Sequence, residues 1–199
     1  MKQKKSTSLA ESLFAENHAP EIGKTISFYR ANEKPYGAFS NLFRRPIEFE
    51  GVVFPTAEHA YQAGKAAKQA VRDWILAAPS PALAAMAAHG LYTWDIVPNW
   101  ANIKFDRMRG VLRAKFIQHS DLTDLLLSTG SARLVERGRV DNAVNRLWGE
   151  VNGKGQNMLG VLLMELRDEL AGARKTAATV VQSAVKRPKT DRRAQAVLS

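Results

Sequence analysis

Proline and glycine divide the middle of this chain into short segments, and that punctuation limits the possible fold more than any other feature. Pro55-Thr56, Pro79-Ser80-Pro81, Gly90, Thr129-Gly130 and the glycines between 149 and 160 interrupt stretches whose composition is otherwise helical. Pro is tolerated in the first turn of a helix and Gly just past its end, so these positions read as starts and stops. The spacing predicts helices over Ala57–Ala78 (capped by Thr56), Pro81–His89 (closed at Gly90), about Ile103–Gln118, Asp121–Leu127 (capped by Ser120) and about Met158–Leu170. Phe105, Met108, Leu112 and Phe116 form one apolar stripe, and Leu159, Leu162, Leu163, Leu166 and Leu170 form another. Strand signals are short: Ile26–Tyr29, Leu134–Glu136, and Pro46–Phe54, which alternates around Glu50-Gly51 as a hairpin does. The expected fold is mainly α with a few short β-strands (α+β), a single compact domain over residues 25–171.

The two ends read differently. Residues 1–24 mix Lys, Glu, Ser and Ala without strong periodicity, as a flexible N-terminal arm with a short helix around Ser8–Glu16 would. From 171 to 199, Arg174, Lys175, Lys186, Arg187, Lys189, Arg192 and Arg193 stand against Asp191 alone, so this end carries +6 of the formal +10. Residues 172–199 are expected to be a basic disordered tail, either holding nucleic-acid phosphates without stacking on bases or simply solubilising the chain. The absence of cysteine excludes disulfides, thiolate nucleophiles and Cys-type metal sites. No apolar run approaches the roughly 18–20 residues of a membrane span, and the expected location is the cytoplasm. His18, His59, His89 and His119 are scattered without ligand spacing, so neither a metal nor any other cofactor is expected.

Three constellations could carry chemistry. On the helix after Thr56, Glu58, Gln62 and Lys65 stand at i, i+4 and i+7, one polar stripe beginning in the first turn, where a carboxylate meets the positive helix end. The same stripe on spacing alone also suits a solvated helix face. Trp100 and Lys104, at i and i+4, could stack on a planar base and meet a phosphate, or could be a core tryptophan beside an exposed lysine. The stretch Trp148–Asn157 precedes a helix, an arrangement that can cradle phosphate with backbone N–H groups, although it matches neither the P-loop nor the dinucleotide-binding spacing.

Taken in order, these residues resemble the NADAR family of N-glycosidases. The resemblance spans roughly Ile26 to Leu170 and includes Phe28-Tyr29, Pro35-Tyr36-Gly37 with Phe39-Ser40-Asn41, and Thr56-x-Glu58-His59 with Tyr61-Gln62-Ala63-x-Lys65. It continues through Asn99-Trp100, Leu112-x-x-Lys115-Phe116, Trp148-Gly149, and Gly155-x-Asn157-x-Leu159-Gly160. It implies hydrolysis of the bond between a phosphorylated ribose and an amine, on ADP-ribosylated guanine in nucleic acid or on phosphoribosylamino-pyrimidine intermediates of riboflavin synthesis. Glu58 is implied as the catalytic carboxylate and Trp100 as an active-site residue. A family aspartate falls at Asn145, which can hold a hydroxyl or water but cannot act as a base; Asp141 or Glu150 could replace it.

An N-glycosidase passes through an oxocarbenium-like state, for which Glu58 would activate water and stabilise the cation. For a ribosylamine, ring opening to an imine offers a second route, with Lys65 preferred over Lys104 as the intercepting amine. The expected catalytic set is Glu58, Lys65, Trp100 and Asp141. Expected substrate contacts are Tyr36, Gly37, Ser40, Asn41, Gln62, Lys104, Asn145, Trp148, Gly149 and Asn157. Rival readings are a noncatalytic ADP-ribose or nucleotide reader, and a basic structural protein associated with nucleic acid.

Overall fold

The computed structural model describes residues 23–185. The arm, with its expected helix at Ser8–Glu16, and the last fourteen residues of the chain lie outside the described residues. Among the described residues the order is β1 (Thr25–Phe28), a 3-10 turn (Tyr36–Phe39), β2 (Ile47–Phe49), β3 (Val52–Phe54), α1 (Ala57–Ala63), α2 (Gln69–Leu76) and α3 (Pro81–His89). A 3-10 turn (Thr93–Asp95), α4 (Trp100–Gln118), α5 (Ser120–Ser128), β4 (Arg133–Glu136), α6 (Ala143–Trp148) and α7 (Met158–Val185) follow. The architecture is mainly helical with few short strands, as the punctuation predicts.

Both sheets are two-stranded. β2 and β3 form the antiparallel hairpin, turning at Glu50 and Gly51, which both take positive φ. β1 pairs in parallel with β4, Thr25 opposite Arg133 and Phe28 opposite Glu136, joining two segments more than a hundred residues apart. α4 separates two apolar clusters. Met108, Leu112 and Phe116 pack with Phe28, Phe39, Leu134 and the α7 leucines. Val111, from the same helix, packs with Ile47, Phe54, Ile75 and the alanines of α1 and α3. The alanines let these helices approach closely; Ala60, Ala84 and Ala88 are completely buried.

Several boundaries depart from the sequence expectation, each for a local reason. The single helix expected over 57–78 is two, because the guanidinium of Arg107 occupies the space beside Gly64 and its Nη2 donates to Ala60 O at 2.7 Å. Beyond the break the backbone bonds elsewhere, Val97 N–H to Lys65 O and Ala67 N–H to Asp95 O. α4 begins at Trp100 rather than near Ile103, entered through Asn99 in the left-handed region at φ 61°. Ser120, expected as a cap, is the first residue of α5. α6 arises where only a polar stretch was expected, started by the Asn142 side chain, which accepts from Asn145 N–H at 2.8 Å. The expectation of disorder from 172 is corrected as far as Val185: α7 runs on without interruption, since no proline follows until Pro188 and the intervening Ala, Lys, Arg and Gln favour helix. Residues 172–180 of that extension are exposed, and it meets the domain through Arg174 and Asp124.

Candidate active site

A cavity of about 500 Å³ opens between α1, the segment 40–42, the start of α4, the end of β4 and α6. Glu58 forms part of its wall. Thr56, extended at the N-cap of α1, accepts from His59 N–H through its side chain, which starts the helix and puts Glu58 in the first turn. The Glu58 N–H, free in such a turn, donates to Asn41 O at 3.1 Å. Its carboxyl Oε1 accepts from Gln62 Nε2 at 2.8 Å, so the i and i+4 spacing becomes a hydrogen bond that fixes the rotamer. Burial pushes the Glu58 pKa up, and Gln62 opposes that shift.

Lys65, at the end of the same stripe, lines the cavity beside His89 and donates from Nζ to Ala88 O at 2.7 Å. Burial holds its amine below the usual lysine range. Aromatic rings form a further part of the lining. Tyr61 meets Trp100 at 5.4 Å and Trp148 edge-on at 5.5 Å, and Phe105 meets Trp148 at 5.7 Å. Trp100, Lys104 and Trp148 all reach the cavity surface, a place where a planar ring and an anionic group can be held together.

Ser40 and Asn41 contribute a third side, and their positions depend on a residue outside the expected set. Lys115, 1% exposed, donates from Nζ to Ala38 O at 2.6 Å and to Ser40 O at 2.9 Å. Burial lowers its amine to about 7. A polar side chain on the core face of α4 thus holds the backbone of one cavity wall in place.

The fourth side was not foreseen. Glu136, the last residue of β4, lines the cavity, and burial followed by the Glu58 charge pushes its carboxyl up to about 7. Among the described residues no cation and no hydrogen-bond donor is paired with that carboxyl. Its backbone is tightly held. Asn157 Oδ1 accepts from Glu136 N–H at 3.0 Å, while Asn157 Nδ2 donates to Leu134 O at 2.8 Å. Glu150 N–H donates to Glu136 O at 2.8 Å. A Cβ on Gly149 would lie 2.3 Å from Glu136 O, and one on Gly160 would lie 2.2 Å from Leu134 O. These glycines let chain segments close around the end of β4.

Of the expected site residues, Glu58, Lys65, Trp100, Ser40, Asn41, Gln62, Lys104, Asn145 and Trp148 share the cavity. Tyr36, Gly37, Asp141, Gly149 and Asn157 are not among the residues lining it. Tyr36 stacks on Phe39 at 5.5 Å, and Gly37 sits where a Cβ would strike Ala31 O at 2.6 Å, so both shape the turn behind the wall. Asn157 is 2% exposed and Gly149 is buried; both pack on β4. Asp141 lies on the surface, paired with Arg146 Nη2 at 2.6 Å, which holds its carboxyl below the usual range. Glu150 pairs with Arg133 away from the cavity. Asn145 reaches the cavity with its amide nitrogen already committed to Val140 O at 2.7 Å. Neither proposed replacement for the missing aspartate lines the cavity; Glu136 does. The available signal was an acidic residue ending an apolar strand pair, Leu134-Val135, just before the Trp-Gly region. Among the described residues no group of three or more His, Asp or Glu is placed to hold a metal ion, and no helix is long and apolar enough to cross a membrane.

The arrangement matches known proteins over most of its length. N-glycosidase YbiA of Shigella flexneri serotype 5b is 44% identical over 147 residues, covering 73% of this chain and 88% of that protein. A riboflavin biosynthesis protein of Vibrio vulnificus is 33% identical over 146 residues, 73% of this chain but 38% of that longer one. The NMR structure of Escherichia coli YbiA superposes with a TM-score of 0.68 at 40% identity, covering 77% of this chain and 89% of that one. The family model of the NADAR domain matches residues 27–171, which begin in β1 and end within α7 and so enclose every wall of the cavity: the chain belongs to the NADAR family.

Proposed function

We propose that this protein is an N-glycosidase, a hydrolase that cleaves the bond between a phosphorylated ribose and an amine. The observation that carries the reading is the Glu58 carboxyl, held by Gln62 in the wall of a cavity that Trp100 and Trp148 also line. Two tryptophans suit a planar base, and a carboxylate near the anomeric carbon suits an oxocarbenium-like transition state. In this reading Glu58 takes a proton from the attacking water, and its charge stabilises the developing cation. Lys65 and Lys104 supply positive charge for the phosphate, while Ser40, Asn41, Gln62 and Asn145 contact the sugar and base.

The preferred substrate is ADP-ribosylated guanine in nucleic acid, with the basic end of the chain attracting the polyanion. Phosphoribosylamino-pyrimidines are the second class, favoured by the relative in Vibrio vulnificus that is named for riboflavin biosynthesis. A second route within the same activity is favoured by one observation: burial keeps the Lys65 amine below its usual range, closer to the neutral form that attacks an imine.

One experiment tests the activity and both routes. An ADP-ribosyl-guanine oligonucleotide and a phosphoribosylamino-pyrimidine are incubated with wild-type protein and with Glu58→Gln, and products are read by mass spectrometry. Release of the ribosyl fragment by wild type, and loss of turnover by about a thousand-fold in Glu58→Gln, is the expected result. Binding of both ligands without release would replace the enzyme reading with a noncatalytic reader. Borohydride added to the same reaction traps a reduced adduct on Lys65 only if the imine route operates.

A further inference from the structure

The reaction proposed above leaves one chemical requirement without a residue. When the bond from C1 to nitrogen breaks, the electron pair stays on nitrogen, and an amine that leaves as an anion is a very poor leaving group. A proton must reach that nitrogen as the bond lengthens. Glu58, as the group that takes a proton from water, cannot supply it in the same step.

We infer that Glu136, which lines the same cavity as Glu58 from the end of β4, is the proton donor to the departing amine. This inference rests on the N-glycosidase reading. Three observations support it independently of any motif. Glu136 lines the same cavity as Glu58 although 78 positions separate them in the chain, and the parallel pairing of β1 with β4 fixes where β4 ends. No cation or donor is paired with its carboxyl among the described residues, so nothing there holds it permanently as a carboxylate. Asn157 holds its N–H, while Glu150 N–H and the close approach of Gly149 hold its carbonyl, which fixes the backbone from which the side chain enters the cavity lining. Acid–base division between two carboxyls requires unequal environments. Here they are unequal: Gln62 hydrogen-bonds the charged form of Glu58, while Glu136 has only burial and the neighbouring negative charge.

The balance is complete without any co-reactant. Water oxygen bonds to C1 and gives its proton to Glu58, the C1–N bond breaks, and the Glu136 carboxyl proton moves to nitrogen. Sugar and neutral amine leave, and the proton on Glu58 returns to Glu136 through solvent before the next turn. The titratable groups facing this pair are Tyr29 from the end of β1, Tyr61 and Lys65 on and after α1, His89 from α3 and Lys104 from α4. Protonated Glu136 is required, so kcat/KM should fall on the alkaline side as pH rises through about 7.

The test uses two leaving groups on one protein. A phosphoribosyl amine needs a proton on its nitrogen, whereas a phosphoribosyl pyridinium leaves as a neutral ring and needs none. Glu136→Gln keeps size and hydrogen bonding but cannot donate a carboxyl proton. Its kcat on the amine substrate should fall about a hundred-fold or more, within the range for loss of a general acid, with turnover of the pyridinium changed less than about three-fold. The alkaline limb of the amine profile should vanish in the variant. Glu58→Gln should lose both substrates. Equal losses on the two substrates in Glu136→Gln, or an amine rate equal to wild type, would overturn the assignment. Failure of wild type to release either leaving group would instead overturn the N-glycosidase reading itself.

Discussion

Glu58 and Glu136 occupy one cavity, yet the chain holds them by opposite means. Glu58 sits on a helix, where its side-chain partner Gln62 comes from the same seven residues and only its N–H reaches outside them, to Asn41 O. Glu136 ends a strand whose partner, β1, lies more than a hundred residues earlier, and its supports, Gly149, Glu150 and Asn157, come from the turn beyond α6. One carboxyl has its side chain hydrogen-bonded by Gln62, which offsets part of the upward push of burial. The other has its backbone fixed and its charge opposed. Local periodicity can position a carboxyl together with its hydrogen-bond partner, whereas the carboxyl at the end of β4 depends on contacts that only tertiary structure provides.

The largest effect expected from separating the two supports comes at Gly149. A Cβ there meets the carbonyl of Glu136, a backbone atom that cannot swing away as a flexible side chain would. Gly149→Ala should therefore destabilise the fold by about 1–3 kcal/mol, the ordinary cost of overpacking, and should move the end of β4. Denaturant titration reads the stability, and turnover of the amine substrate should fall more than turnover of the pyridinium. A variant with full stability and full activity would show that the close approach is not needed.

A smaller effect, confined to the other carboxyl, is expected from Gln62→Ala. The Gln62 amide lowers the Glu58 pKa, so its removal raises that pKa further. In the proposed reaction Glu58 is ionised when it activates water. The acidic limb of kcat/KM should therefore move to higher pH, and activity should be lost first at low pH, with the alkaline limb unmoved. A rate profile that keeps its acidic limb in place would detach Gln62 from the base.

The same contrast explains what could be read from the chain beforehand. The hairpin, the helix starts at Thr56 and Ser80, and the Glu58 to Lys65 stripe depend on neighbours within a few residues, and the sequence displays them. The break after Ala63 depends on Arg107, a residue more than forty positions away whose guanidinium takes the Ala60 carbonyl. The Trp148 to Asn157 stretch shows the limit most clearly. Its glycines are legible as a demand for close approach, but what approaches is the end of β4, and nothing local names that partner. Lys115 belongs to the same class: its buried amine serves carbonyls of the turn about 75 residues before it.

The smallest expected effect falls on the residue that the missing aspartate first suggested. Asp141 pairs with Arg146 on an exposed surface, five positions away, and is not among the residues lining the cavity. Solvent screens such a pair, so it contributes little to the fold. Asp141→Asn should accordingly leave kcat, KM and both limbs of the pH profile within two-fold of wild type, an order-of-magnitude bound consistent with an exposed, replaceable partner. If Asp141 were the second acid, the alkaline limb would disappear in this variant and survive in Glu136→Gln. The two substitutions therefore exchange outcomes under the two assignments. A single pair of pH profiles decides which carboxyl works with Glu58, and the exposed one should be silent.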